Sequence, residues 1–549
     1  MRNQIGTPTH RRSLLAAAAA LLLASGAASA QLAPVGLSGV GAQRFDNEDL
    51  VEFVPEAGDN FAWALAAGDF DGDGAEDLAT GIPYDEGSQG GCPDCGIVVV
   101  RYGVPRAGLA GGLADTVLYQ GLAGSPDPPE PGDLFGAALA AGDFDGDGFD
   151  DLAVGIPGDR GSSGTSFGAV QVHYGSAAGI ELQGAEFLDE LLAWTEIPLP
   201  FRLGDDEFGA ALDTGDFDGD GFDDLAIGAP RAGILVDVNT PVRGGEVFVA
   251  HGSVEGLLPL LGYGISQHSP GLFGDPLSEE RFGRAVAAGD FDADGDDDLA
   301  IGVPNEGDNG SLHVILGSPF GLIFADSVFW APGALGQVPE AGDRLGFALA
   351  AADFDGDGHD DLAIGDPSED LGASNELADA GSISVAYGAP GGFELSRTDT
   401  FTQGLVYADP AADQTGDQFG WALAAGDFDG DGRADLAVGH PGEDVTGNVN
   451  SGAAALLMGG PNAGLGARLG SLSAGRDGVP GDLQAHSDFA RSLAVGDFDG
   501  NGFADLVVGV PWYDAAAQAN VGYEVVLYGA LFSDGFEVGS SLRWSSTTP

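Results

Sequence analysis

The chain has 549 residues, among them 94 glycines, 86 acidic residues and 19 basic ones, for a net charge of −67. Glycine without a Gly-X-Y period excludes collagen, and a hydrophobic fraction of 44% places the acidity on a folded surface, not in a disordered chain. So large a negative excess also excludes a nucleic-acid binder, which needs a basic patch for phosphate, and the length exceeds one ordinary core unless the fold repeats.

Residues 1–30 read as an export signal. Arg11-Arg12 precede the apolar run Leu14 to Leu23, and Ala28-Ser29-Ala30 forms a small-residue cleavage site before Gln31. His-Arg-Arg-Ser-Leu-Leu resembles a twin-arginine signal, and an ordinary secretory signal fits as well. The run is too short and alanine-rich for an anchor, and no later segment reaches a membrane span. The expected product is a monomer that is secreted, periplasmic or held at the cell surface. Removing residues 1–30 takes away three arginines and no acids, so 16 arginines and no lysine face 86 acids, a balance of −70.

Residues 31–530 carry one pattern seven times. Its second copy reads Gly142-Asp143-Phe144-Asp145-Gly146-Asp147-Gly148-Phe149-Asp150-Asp151-Leu152-Ala153-Val154-Gly155-Ile156-Pro157. Loop positions 1, 3, 5 and 9 always hold an acid or amide. In chain order they are Asp69, Asp71, Asp73 and Asp77; Asp143, Asp145, Asp147 and Asp151; Asp216, Asp218, Asp220 and Asp224; Asp290, Asp292, Asp294 and Asp298; Asp353, Asp355, Asp357 and Asp361; Asp427, Asp429, Asp431 and Asp435; and Asp497, Asp499, Asn501 and Asp505. Glycine fills position 6 throughout and position 4 in all but one copy, which has Ala293.

Alternate carboxylates on a tightly turned backbone can converge on one point, and glycine permits the turn because it lacks a Cβ. The product is an all-oxygen cage suited to Ca²⁺; Mg²⁺ wants stricter geometry and Zn²⁺ wants His or Cys. An EF-hand is excluded because its loop runs twelve residues to a Glu between helices. The last ligand here is at position 9, and a strand-like Leu-Ala-x-Gly-x-Pro follows. Up to seven Ca²⁺ are expected, each pinning the turn between the first two strands of its unit. The fourth copy, with Ala293 and extra acids at Asp296 and Asp297, departs furthest from the pattern.

Around each loop the pattern predicts strands. A Phe-Gly step and small apolar residues precede it, as in Phe135-Gly136-Ala-Ala-Leu, with Phe61-Ala62 and Phe489-Ala490 in the first and last copies. After the loop come strands at Ile97 to Tyr102, Ala169 to Tyr174, Glu246 to Ala250, Ser311 to Leu316, Ser382 to Tyr387, Ala453 to Met458 and Tyr523 to Tyr528, each ending in glycine. Weaker strands follow, such as Thr116 to Tyr119 and Ser327 to Trp330. Helical periodicity is confined to the signal and to Ala185 to Trp194. Four short strands per unit, repeated seven times, predict a β-propeller, in which each sheet buries its faces on its neighbours. Phe at loop position 2 points away from the ligands and should fill the space between blades. The segment Val35 to Val54 has no loop of its own, and is expected to supply the outer strand of the last blade.

Cys92 and Cys95 lie in a Gly-rich loop before a strand, not at a helix start. A local disulfide is the expectation for an exported chain, with a redox Cys-x-x-Cys as the alternative. Residues 531–549 form a tail that resembles the Asp-Gly-Phe-Glu-x-Gly end of exported bacterial proteins.

The motif Phe-Gly…Asp-x-Asp-x-Asp-Gly-x-x-Asp-Leu…Gly-x-Pro resembles the FG-GAP repeat of integrin α-subunits and of secreted bacterial proteins. That resemblance implies a seven-bladed all-β propeller of four-stranded antiparallel blades with Ca²⁺ loops on one face. The expected function is binding or adhesion to a protein or glycan, without catalysis, through loops such as Pro83 to Gly96, Gly158 to Gly168 and Arg231 to Gly245. The alternative is a secreted hydrolase or lyase acting on polysaccharide in the central funnel. Against it, the seven histidines after the signal share no repeat position, and the chain carries no Gly-x-Ser-x-Gly, His-Glu-x-x-His or P-loop.

Overall fold

The computed structural model describes most of residues 37–529. Residues 47–55 and 190–203 are the longest internal stretches outside the description, and residues 1–36 and 530–549 lie outside it too. Seven four-stranded antiparallel sheets account for nearly all of the regular secondary structure. In blade 1 the strands run Ala64–Gly68, Asp77–Ile82, Ile97–Arg101 and Thr116–Leu118, from inner to outer. Blades 2 to 6 repeat that order, with inner strands Leu139–Gly142, Ala211–Gly215, Ala285–Gly289, Ala348–Ala352 and Ala422–Gly426. The outer strand of blade 2, Glu186–Asp189, occupies part of the segment whose periodicity looked helical. The rest of that segment, residues 190–194, lies outside the described residues.

Blade 7 closes the ring. Its strands Ser492–Gly496, Asp505–Val510 and Tyr523–Gly529 are completed by Leu37–Phe45 from the other end of the chain, as anticipated for Val35 to Val54. The pairing is antiparallel, from Leu37 opposite Gly529 to Phe45 opposite Glu524. A buried ion pair secures the seam to blade 1: Arg101 Nη1 lies 2.7 Å from Glu524 Oε1, and Thr80 Oγ1 donates to Glu524 Oε2 at 2.7 Å. The Arg101 guanidinium also stacks over Phe45 at 4.6 Å.

The repeat is explained by what sits at the blade junctions. The Gly-x-Pro glycine faces the Phe-Gly step of the next blade so closely that a Cβ on Gly81 would lie 2.1 Å from the Gly136 carbonyl oxygen, and one on Gly155 2.1 Å from that of Gly209. The same approach closes the ring, with Gly509 2.6 Å from the Ala62 oxygen. Inner strands are Ala- and Gly-rich for a related reason: a Cβ on Gly68 would meet Ala141 Cβ at 2.8 Å. Each second strand is buried along its whole length, which is why it reads Asp-Leu-Ala-x-Gly-x without alternation. The position-2 residues Phe70, Phe144, Phe217, Phe291, Phe354, Phe428 and Phe498 are fully buried between blades. Each contributes about 1.5–3 kcal/mol of burial.

Tyrosine hydroxyls clasp neighbouring blades as well. Tyr102, Tyr174, Tyr387 and Tyr528 accept from the backbone N–H of Ile180, Leu257, Leu465 and Leu109 in the next blade, at 3.0–3.2 Å. Cys92 and Cys95 form the expected local disulfide. Blade 3 alone carries an extra hairpin among the described residues, Gly233–Asp237 with Thr240–Arg243, inside a loop marked as variable.

Candidate metal centres

The seven acidic loops join the first and second strands of their blades and lie together on one face. Each is wound by its own carboxylates. Both oxygens of the position-1 Asp accept backbone N–H groups, from positions 5 and 6, at 2.7–3.1 Å in all seven loops. The position-5 oxygen accepts from the N–H of position 7 at 2.8–3.2 Å. Asn501 does this with Oδ1 at 2.8 Å, so the one amide among the predicted ligands keeps the fold of its loop.

Position 9 has a double task. Its side chain is buried in every blade. One oxygen of Asp77 accepts from Phe70 N at 2.9 Å, and the other from Gly103 N, beyond the third strand, at 2.7 Å. Asp151, Asp298, Asp361, Asp435 and Asp505 repeat both bonds. Burial pushes Asp77, Asp151, Asp298, Asp361 and Asp505 up to about 8, and Asp435 to about 7, with the neighbouring position-3 carboxylate adding to the rise.

The donor set fits a hard cation. Carboxylate oxygens of Asp69, Asp71 and Asp77 lie within 4.8 Å of one another, as do those of Asp143, Asp145 and Asp151, of Asp216, Asp218 and Asp220, and of Asp290, Asp292 and Asp294. At an effective dielectric of about 20, each ionised pair at that spacing costs about 3 kcal/mol. The winding bonds take one or two of the roughly four lone-pair positions on each carboxylate. Oδ1 of Asp218, Asp292 and Asp499 is buried with no hydrogen-bond partner. In these three loops position 3 keeps an oxygen that a bound cation would satisfy. Position 1, 3, 5 and 9 oxygens would hold Ca²⁺, whose charge would reverse the upward pKa shifts.

Two features the sequence left unread hold the loops to each other. The first is position 8. Its backbone N–H donates to the position-1 carbonyl of the preceding blade at 2.9–3.2 Å all around the ring, from Asp150 on Asp69 to Glu76 on Asp497. In blades 2 to 5 the side chains of Asp150, Asp223, Asp297 and Asp360 also accept the position-1 N–H of that neighbour, at 2.7–3.3 Å. Asp297 is therefore no departure; the doubled Asp-Asp in four repeats was the available signal. The second is position 7, whose side chain covers the position-4 glycine of the preceding loop. A Cβ on Gly72 would lie 2.5 Å from Phe149, and one on Gly146 2.5 Å from Phe222. The fourth loop keeps its winding bonds, and Ala293 sits at φ 56°.

Basic side chains enter three loops. His251 Nδ1 lies 3.0 Å from Asp224 Oδ2 and 3.4 Å from Asp218 Oδ2. The side-chain bond to Asp224 raises the His251 pKa above its ordinary value. His251 stands where the repeat has the clasping tyrosine, and Tyr263 on the outer strand takes over that clasp, accepting from Leu322 N at 3.2 Å. Arg397 Nη1 pairs with Asp355 Oδ2 at 2.5 Å, and Arg433 pairs with Asp431. The other histidines split: His173, His313 and His440 are buried, and burial lowers their pKa to about 4, about 4 and about 3. They are neutral core groups.

Comparison with known proteins gives a consistent picture. The FG-GAP repeat family model matches residues 61–91, 135–173, 208–249, 282–315, 345–386, 419–457 and 489–528, one match per blade. Integrin alpha-PS2 of Drosophila melanogaster is 30% identical over 255 residues, covering 43% of this chain and 15% of that protein. Phosphatidylinositol-glycan-specific phospholipase D of Rattus norvegicus is 36% identical over 168 residues, 29% of this chain and 18% of that protein. The chain thus spans less than a fifth of either relative. Among solved structures, the exotype rhamnogalacturonan lyase YesX aligns at a TM-score of 0.41 and 12% identity, covering 89% of this chain and 76% of that one.

Proposed function

The chain belongs to the FG-GAP repeat family and is an integrin-α-like propeller, and on that premise we propose that it is an exported binding module for a protein or glycan, with Ca²⁺ a structural ion in each blade. The observation that carries this is the division of labour between its faces. One face is locked by seven near-identical loops linked position 1 to position 8. The other carries, on the same rigid ring, the described parts of the segments Pro83 to Gly96, Gly158 to Gly168 and Arg231 to Gly245, which differ from blade to blade. Loops of that kind on a fixed scaffold are where recognition usually resides. The relatives lend support through the integrin α-subunits among them, whose name says nothing of this chain's own ligand. Among the described residues no helix is long and apolar enough to cross a membrane.

A glycan array and a pull-down with the calcium-loaded protein test this reading, run beside a glycosidase, lyase and esterase panel. Saturable binding without turnover is the expected result. Turnover of a polysaccharide would move the reading to the enzyme alternative, for which Asp205 and Glu207 are acids lining the funnel. Glu207 is held by Arg231 at 3.3 Å.

A further inference from the structure

The residue after each Phe-Gly step opens an inner strand. Ring closure brings all seven of them to one mouth of the axial funnel, a cavity of about 680 Å³ on the face opposite the metal loops. That volume lies inside the range of small-ligand sites, about 300–1,000 Å³. Unlike the loops, these positions do not repeat. Blades 2 and 3 place Ala137 and Ala210 there, blades 1, 5 and 6 place Trp63, Phe347 and Trp421, and blades 4 and 7 place Arg284 and Arg491. The alanines leave open space on one side, and the other side is an arc of rings and guanidinium groups.

The arc is assembled with care for its cations. Arg491 lies over Trp421 at 4.3 Å and over Trp512 at 4.5 Å, and Asp488 approaches it at 3.6 Å. The Arg284 guanidinium lies over Phe347 at 4.9 Å and makes no hydrogen bond or ion pair among the described residues. Ring faces hold a guanidinium in place without neutralising it. Burial, and after it the neighbouring Arg281, disfavours the charged form of Arg284; the Glu207 carboxylate favours it from beyond ion-pair distance, so this cation has no direct carboxylate partner. In a chain with 19 basic residues against 86 acids, Arg231, Arg284 and Arg491 all line this one cavity beside two acids, Asp205 and Glu207, of which Glu207 is taken up by Arg231 at 3.3 Å. Trp63 completes the arc, braced by the edge of Tyr84 at 5.2 Å, and it is half-buried, leaving ring surface toward the funnel.

A ligand matched to this mouth has a ring with an apolar face and a carboxylate on the same unit. A free phosphate or sulfate would meet the arginines and leave Trp63 uncovered. A neutral sugar would cover Trp63 and leave Arg284 without a counter-ion. An acidic peptide carries its carboxylates on flexible stems with no ring beside them. We propose that the funnel mouth is a binding site for a uronate-bearing oligosaccharide, with Trp63 under a sugar ring and Arg284 and Arg491 on its carboxylates. This rests on the binding-module reading and names the class of ligand. Arg–carboxylate pairing supplies the discrimination, because displacing water from an unpaired guanidinium without replacing its hydrogen bonds is costly.

The test is calorimetric titration of the calcium-loaded full chain with a uronate trisaccharide, its carboxyl-reduced neutral counterpart, and a tri-glutamate peptide. The uronate should bind at least tenfold more tightly than either of the others. Arg284→Gln and Trp63→Ala should each weaken it at least tenfold, with Arg284→Gln leaving the melting temperature unchanged. Equal affinity for the neutral sugar, tighter binding of the peptide, or an Arg284→Gln variant that melts as the parent and binds the uronate unchanged would overturn the site. Should glycans or proteins bind elsewhere while the funnel variants are silent, the site falls and the binding-module reading stands. If nothing binds in either screen, both fall.

Discussion

Each innermost strand has two ends that obey different rules. At one end sits an acidic loop, and at the other the residue after the Phe-Gly step. Position 2 is Phe in every blade and position 9 is a buried Asp in every blade, whereas the funnel residue ranges from Ala through Trp to Arg. The difference follows from what each end touches. The loops touch one another: a change in one is felt by the next through the bond between positions 1 and 8 and the contact of position 7 on position 4. Funnel residues face a cavity, so blades can differ there without disturbing the ring. Uniformity marks the part that holds the protein together, and variation marks the part free to recognise something.

The largest effect should come from breaking the closure that aligns the two faces. Deleting residues 31–46 removes the outer strand of blade 7 and Phe45 from the seam, and exposes the buried Arg101–Glu524 pair. Differential scanning calorimetry should show loss of a single cooperative transition. Glu524→Ala is the milder version. It leaves Arg101, which is 2% exposed, with only the half-exposed Asp115 at 3.6 Å, and should cost about 3 kcal/mol, the low end for breaking a buried pair. A truncated chain that melts as the parent does would show that neither face depends on the ring.

Chelation comes next and separates the faces directly. If each loop binds Ca²⁺ near 10⁻⁴ M, 1 mM Ca²⁺ stabilises the fold by about 1.4 kcal/mol per loop. EDTA should therefore lower the melting temperature by many degrees, with full recovery on adding Ca²⁺ and metal analysis returning up to seven ions. Loops 3, 5 and 6 should be the weakest, since His251, Arg397 and Arg433 already lean on their carboxylates. A chelator-insensitive melt with no metal found would remove the ions from the account.

A smaller, pH-dependent effect belongs to the non-loop end. Asp366 ends the second strand of blade 5 and Glu369 follows it, and burial pushes them up to about 7 and about 8. Their folded pKa values exceed the unfolded ones, so between roughly pH 4 and 8 the folded chain holds protons that the unfolded chain has lost. Their contribution is complete at low pH and is lost as pH rises through that window. In saturating Ca²⁺ the melting temperature should therefore decline from pH 5 to pH 8. Glu369→Gln should raise it at pH 8 and leave it unchanged at pH 5, where Glu369 is already neutral. Equal shifts at both pH values would sink the assignment.

Sequence alone exposed the loop end almost completely, because its constraint recurs and can be aligned against itself: the acidic positions, turn glycines, the buried Phe and even the closing strand were legible. The funnel end was invisible for the converse reason. Trp63, Arg284 and Trp421 are unlike one another and far apart in the chain, so only the closed ring reveals that they share a surface. Between these extremes stand Asp150, Asp223, Asp297 and Asp360. Their doubling was visible, but a carboxylate that binds a neighbouring blade looks, in sequence, like one more metal ligand.

The finest test exploits the one loop that breaks the glycine rule. At position 4 of loop 2, Gly146 has φ 71° and a Cβ there would strike Phe222 at 2.5 Å. Gly146→Ala should cost about 2–3 kcal/mol, from the left-handed backbone and from overpacking together. At the same position of loop 4, Ala293 already has a Cβ at φ 56°, and the covering residue from blade 5 is His359 instead of Phe. Ala293→Gly relieves about 1 kcal/mol of backbone strain and returns about the same in unfolded-chain entropy. It should leave stability within about 0.5 kcal/mol of the parent by urea titration of the calcium-loaded protein. If Gly146→Ala were equally silent, the covering of one loop by the next would carry no energy. The uniformity of that face would then have to come from the metal alone.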